Sequence, residues 1–480
     1  MCLNARTMGD PKYFEARFGV TNEQIRKVLS AALERGGGFS ELFFQHARNT
    51  GVGLEDGVVN RAGSSVDLGV GVRVVVGDRT GYAFSEDLSL PAMLAAARTA
   101  SGIASGGASR EPGSLTPVRL PSHYDTDYDW STVGVDRITP VLASIDELAR
   151  RADPRVAKVQ ASFVGHQSTI LIVTSDGRIV ADEQPMTRLG LNVVMEQGGA
   201  RQSNSHNLAA RAGMDTYTSE SVRNLVDVAI ERTGVLFDAV RPPQGELPVV
   251  LAAGSSGILL HEAIGHGMEA DFNRKGVSIF SDRIGRPVAQ PFVSIVDDGT
   301  HQALRGSINV DDEGTPSERT LLVEEGVLRS YLHDRISAGH FEVSSTGSGR
   351  RESFRHIPLP RMRNTYMLPG PHTKEEVIAN VKKGVYCISF TNGQVNIGAG
   401  DYTFYVKNGW LIEDGKLTAP LKDVNIIGNG PETLSRITMV GDDLEIDKGG
   451  WTCGKDGQGV PVSLGMPTCL VSSITVGGSA

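Results

Sequence analysis

The chain has 480 residues, 40% of them hydrophobic and 21% charged, which excludes disorder as its dominant state. Its 47 basic and 56 acidic residues give a formal net charge of −9, with both signs interspersed, and this argues against nucleic-acid backbone binding. Glycine is in excess at 57 of 480 residues, about 12%, against a usual ~7%; no G-X-Y period exists, so collagen is excluded and the excess predicts turns, bulges and close backbone contacts in a β-rich protein.

The first ten residues contain no apolar core of a targeting segment, and Met8 is a second candidate start. Thr21 and Gln24 form a capping box ahead of Ile25, Val28, Leu29, Ala32 and Leu33, which predicts an amphipathic helix ending at Gly36-Gly37-Gly38. Leu42, Phe44 and His46 lead into Val52 and Leu54, and Glu55-Asp56-Gly57 reads as a turn. Val66 to Val76 then alternates apolar residues with Asp67, Gly69, Gly71 and Arg73, the pattern of a half-buried antiparallel strand. Pro91 opens an alanine-rich helix, and Thr139-Pro140 opens another running to about Arg151. A second meander resembles the first: strands at 159–164, 170–174 and 189–195, a turn at Ser175-Asp176-Gly177, and a helix from about Ser219 to Thr233. The segment from Val240 to Gly245, containing Pro242-Pro243, reads as an interdomain linker and divides the chain into domains 1–240 and 241–480. The first is helix plus antiparallel sheet.

The most apolar window, Leu247 to Leu260, is broken by Gly254-Ser255-Ser256-Gly257 and is too short to span a bilayer. Cys2, Cys387, Cys453 and Cys469 form no CxxC pair and no disulfide framework, which fits a reducing compartment. The expectation is a soluble cytoplasmic protein without nucleic-acid or membrane partners.

After the linker come a buried strand, a turn with Ser255 or Ser256 as N-cap, and a helix reading Ile258-Leu259-Leu260-His261-Glu262-Ala263-Ile264-Gly265-His266. The core, H-E-x-x-x-H, has one residue more than the H-E-x-x-H of common zinc peptidases. In a regular helix residues i and i+5 lie about 140° apart in projection, so two imidazoles at that spacing cannot share an ion. A π-bulge restores a common face, and Gly265 sits where such distortion is least unfavourable. His261 and His266 are therefore the expected ligands of one Zn2+ per chain. Glu262 would stand beside the zinc-bound water, whose pKa falls to around 7, and pass its proton to the leaving amine. Candidates for a third ligand are Glu269, Asp271, His301 and the distant Cys453, which sits in a glycine-flanked turn. Gly449 to Asp456 is one residue short of a P-loop, but Asp456 replaces the magnesium-binding hydroxyl and would repel a phosphate.

Together these residues resemble the TldD/PmbA family of metallopeptidases, and the TldD-type subunit in particular. The resemblance rests on Leu259 to Arg274, Asp311-Asp312-Glu313-Gly314-Thr315-Pro316, Gly347 to Ser353, Arg361 to Gly370, Gly393-Gln394-Val395 and Cys453-Gly454-Lys455-Asp456-Gly457-Gln458. It covers essentially the whole chain apart from the first dozen residues. It implies Cys453 as third zinc ligand, and an α+β fold whose C-terminal domain is mainly antiparallel β and carries the bulged metal-binding helix. It also implies unfolded peptide substrates, such as microcin precursors and antitoxins. A PmbA-type homologue lacking the metal motif would be the partner in a heterodimer enclosing a chamber; a homodimer is the other arrangement. Arg350, Arg351, His356 and Tyr366 are candidates for polarising the scissile carbonyl or gripping a peptide terminus. Two alternatives are a dipeptidyl-peptidase-III-like exopeptidase, which takes a glutamate third ligand from a mainly helical fold, and a non-catalytic partner subunit.

Overall fold

The computed structural model describes residues 9–106, 110–128, 130 and 133–478; Cys2 and the alternative start at Met8 lie outside the described residues. The fold is α+β. Its first half contains α1 (Tyr13–Phe18), α2 (Asn22–Leu33), β1 (Phe39–Glu55), β2 (Val58–Val76), β3 (Arg79–Ser85), α3 (Leu90–Ile103), β4 (Thr116–Pro117), α4 (Val135–Ala152), β5 (Val156–Thr174), β6 (Arg178–Gln197), β7 (Ala200–Ala210) and α5 (Ser219–Gly234). The capping box at Thr21 and Gln24 is formed. Asp56 and Gly57 both take positive φ, 48° and 79°, as the two-residue turn between paired Glu55 and Val58 requires.

Two meanders join into one sheet in the order β3-β2-β1-β5-β6, with β7 and the short β4 both on β6. The strands are longer than the apolar pattern suggests. The polar stretch Gly165 to Thr169 does not interrupt β5, because it is paired with β1 on one side and β6 on the other. Pro140 lies inside α4 rather than at its start. The preceding turn closes when the Arg137 and Ile138 N–H groups donate to the Gly134 carbonyl, and Pro140 removes only its own hydrogen bond.

The helices cover one face of this sheet. Leu42, Phe44, Val70, Val72 and Val74 pack with α2 and α3, while Val52, Leu54, Val159 and Phe163 pack with α4 and α5. The other face, read as the exposed side of β2, is covered too. Phe43 packs there with Val310 and Phe354. Arg73 is only 1% exposed and pairs with Glu313 and, at 3.6 Å, with Glu41. Gly69 is necessary at this junction, since a Cβ there would lie 2.2 Å from the Phe354 ring.

The segment before β8 (Gly245–Leu251) is pinned rather than free: Val240 N–H donates to Pro420 O at 2.9 Å and Val240 O accepts from Lys422 N–H at 3.1 Å. Five strands of the second half close into a small barrel. Going round, β8 pairs with Cys469–Gly478, then come Val424–Asn429, Asp401–Glu413 and Lys383–Val395, which returns to β8. Most of these pairings are antiparallel; Lys383–Val395 and β8 run parallel. A second sheet includes Ile295–Asp298, Arg319–Glu324, Asn364–Met367 and Ser463–Met466. Among the described residues no helix is long and apolar enough to cross a membrane.

Candidate metal centre

Directly after β8 the chain turns at Gly254, whose φ is +82°, and enters a helix at Gly257. Ser256 takes the N-cap position as expected, but neither it nor Ser255 caps the helix with its side chain. Their hydroxyls donate to the carbonyls of Ile388 and Cys387 at 2.6 and 3.5 Å, tying the helix start to the neighbouring barrel strand. One helical turn, Gly257–Leu260, is followed by a π-turn, His261–Gly265, and a tight turn, His266–Met268. The inserted residue brings both imidazoles to one side, with ring centroids 5.1 Å apart and planes at 79°.

Gly265 has ordinary helical angles, φ −58° and ψ −47°, so the bulge does not depend on its backbone freedom. Its requirement is space: a Cβ would lie 2.1 Å from Met362 Sδ. Gly265→Ala should therefore overpack the site and lower stability in urea unfolding by about 1–3 kcal/mol. Adding Met362→Ala should recover part of that loss; additive losses would count against the steric explanation.

Cys453 does not sit in a turn. It lies on the first strand of a hairpin, Thr452–Lys455 with Gln458–Pro461, whose turn is Asp456-Gly457 at φ 49° and 72°. The hairpin carries the cysteine to the helix, where Sγ is 3.5 Å from His266 Nε2. The donor atoms of His261, His266 and Cys453 all lie within 4.8 Å of one another, and all three residues are buried. Of the other ligand candidates, His301 is elsewhere, 3.0 Å from the Tyr366 hydroxyl and 3.6 Å from Asp298.

Glu269 and Asp271 hold the site from behind. His266 Nδ1 lies 2.9 Å from Glu269 Oε2; the imidazole that donates there keeps Nε2 free for an ion, an arrangement that fixes tautomer and ring orientation in metal sites. Glu269 is completely buried. Lys455 Nζ donates to it at 3.1 Å and to Asp271 at 2.7 Å. Arg361 stands 4.0 Å from Glu269 and donates to the backbone carbonyl of Cys453 at 2.5 Å. Burial opposes ionisation of Glu269, but Lys455 and His266 hold its pKa at about 2. Burial likewise raises the Cys453 thiol, yet the two imidazoles outweigh it and bring it well below the usual thiol range.

This donor set fits a divalent cation. The His261 Nδ1 is buried with no partner. Lys455 stands between the Glu269 and Asp271 carboxylates, and Arg361 approaches Glu269 from another side. Two imidazoles and a thiolate suit zinc. Every residue from 254 to 270 is buried except Glu262, whose Oε2 is 3.8 Å from His266 Nε2.

The remaining sequence candidates have other contacts. Arg351 pairs with Glu41 and lies 4.4 Å over the Phe43 ring. Tyr366 faces His301 and Asp298, and His356 Nδ1 meets the Ser353 hydroxyl at 3.0 Å. Arg350 donates to Met362 O and Pro461 O at 2.6 and 2.7 Å. Lys455 and Arg361 carry no individual signal in the sequence, and Glu269, a candidate third ligand there, bonds His266 Nδ1. Glu269 follows His266 by three residues, a spacing that places side chains together on a helix, and Lys455 follows Cys453 by two, the same side of a strand.

Three family models match the chain: PmbA/TldA metallopeptidase domain 1 over residues 40–104, the central domain over 128–237 and the C-terminal domain over 244–478. The Metalloprotease TldD homolog of Haemophilus influenzae is 38% identical over 467 residues, 96% of this chain and 97% of its own length. The Zinc metalloprotease TldD homolog of Saccharolobus solfataricus is 32% identical over 64% of this chain and 68% of its own. The crystal structure of TldE from Thermococcus kodakarensis has the same fold, with a TM-score of 0.74 at 17% identity, covering 95% of this chain and all of that one.

Proposed function

The chain belongs to the PmbA/TldD metallopeptidase family, and on that premise we propose that it is a zinc-dependent peptidase acting on unfolded peptides in the cytoplasm. The observation that supports this reading is the convergence of His261, His266 and Cys453 around one point, with Glu262 as the one accessible carboxylate of the helix. His261, His266 and Cys453 would hold one zinc ion per chain. Bound zinc supplies Lewis-acid polarisation and lowers the pKa of water. Glu262 takes a proton from the attacking water and delivers it to the leaving amine. Glu269, anchored by Lys455, keeps His266 in the required tautomer. The α+β frame does not favour the mainly helical dipeptidyl-peptidase-III-like alternative, and a non-catalytic subunit has no use for this donor set.

Substrates of the microcin-precursor or antitoxin kind fit a peptide held in extended form, and the partner is a PmbA-type subunit or a second copy. The test is purification under mild conditions, followed by incubation with an unstructured peptide. Cleavage should stop with a chelator and return with zinc. Cleavage indifferent to chelation would overturn the metal reading, and none in any preparation would overturn the peptidase reading.

A further inference from the structure

Where the first sheet meets the second half lies a small cavity lined by Gln45, His166, Arg211, Asp312, Arg350 and Glu352, among others. Its volume is about 70 Å3, well below the roughly 300–1,000 Å3 that encloses a whole small ligand. Arg211 is 4% exposed and stacks over Tyr124 at 5.4 Å. Its Nε is buried without a partner; among the described residues its guanidinium makes neither a hydrogen bond nor an ion pair.

Its neighbours share the deficit. Among the described residues Arg350 donates only to the neutral carbonyls of Met362 and Pro461. Among the same residues Arg305 donates only to Trp451 O at 2.8 Å and the Thr452 hydroxyl at 3.2 Å. Burial and the nearby Arg211 bring Arg305 down to about 10 and Arg350 to about 9, with Asp312 only partly opposing the shift of Arg350. The carboxylates facing Arg211 do not close the gap. Asp182 is taken up by Tyr124 and Asn309, and Asp312 Oδ2 accepts the Arg351 N–H at 2.7 Å; burial raises the pKa of both. A buried, unpaired guanidinium is unfavourable unless an anion completes it, and its planar fork matches a carboxylate.

We propose that this cavity is a carboxylate-binding subsite for the peptide substrate, with Arg211 as the free fork and Arg305 and Arg350 supporting its charge. The inference rests on the peptidase reading. Arg305 and Arg350 both donate to the segment 451–461 that carries Cys453, so the subsite is built onto the same hairpin as the metal centre. The cavity takes one charged group of a larger chain: the terminal carboxylate or an aspartate or glutamate side chain.

The test uses zinc-loaded protein, with any copurifying partner, and a labelled unstructured peptide bearing one glutamate and a free C-terminus. Binding is read by fluorescence anisotropy on the Glu262→Gln protein, so no turnover is needed. Amidating the C-terminus, or replacing the glutamate with glutamine, should raise Kd at least about tenfold for one of the two, identifying the carboxylate. Arg211→Met should bind charged and neutralised peptides alike, with an unchanged or higher Tm. Should Arg211→Met fail to fold, Arg211→Lys replaces it, and a reduced preference supports the subsite while an unchanged preference overturns it. Equal binding of all three peptides by protein with Arg211 intact overturns the proposal, as does an equal loss for all three in Arg211→Met. Discriminating binding in a protein that cleaves nothing would leave the subsite standing and sink the peptidase reading.

Discussion

Replacing Glu262 with glutamine should abolish peptide cleavage while zinc stays bound. Glutamine has nearly the same volume and hydrogen-bonding reach but cannot take a proton at neutral pH. General acid–base catalysis by a positioned side chain contributes about 10^2–10^4-fold, and the drop in kcat should fall in that range. Glu262 is the one residue between 254 and 270 that is not buried, so the substitution should leave packing, and hence Tm, unaltered. Zinc content by elemental analysis should match that of the unsubstituted protein. Cleavage within a few-fold of the original rate would remove Glu262 from the mechanism.

Replacing Cys453 with serine should instead remove the metal. A serine hydroxyl does not ionise near neutral pH, whereas the thiol here is driven toward thiolate by His261 and His266 against the opposing effect of burial. Changing only an outer partner of a metal ligand costs about 10–100-fold in affinity; loss of a ligand should exceed the upper end of that range. Zinc should then be lost on dialysis, and with it activity. The hairpin should still dock, because Lys455 remains held by Glu269, Asp271 and Pro360 O. Stoichiometric zinc in Cys453→Ser protein after exhaustive dialysis would place the third ligand elsewhere.

Local features were legible in the sequence because local chemistry decides them. The Thr21–Gln24 box, the Asp56-Gly57 turn and the alternation along β2 each depend on a few adjacent residues. The bulge was legible for a related reason: the spacing of His261 and His266 conflicts with 3.6 residues per turn, and a π-turn is the smallest repair. What covers a surface was not legible. Alternation shows that the faces of β2 differ, but Arg73 and Gly69 face the second half of the chain, and only Glu313 and Phe354 explain why one is charged and the other has no side chain. Barrel closure, which joins β8 to strands well over a hundred residues away, leaves no trace in any short window. Lys455 escaped notice because its partners, Glu269 and Asp271, are more than 180 residues upstream.

The separation of the metal-site residues also sets a clock. His266 and Cys453 are 187 positions apart, and chains are made at roughly 5–20 residues per second. On that scale the nascent chain displays both histidines for roughly 10–40 s before the cysteine exists. Cys453 also arrives with Lys455 on the same short hairpin, so the proposed ligand and the cation that contacts Glu269 are delivered in one docking event. The cluster of His261, His266 and Cys453 is therefore complete only once the hairpin near the end of the chain has folded back.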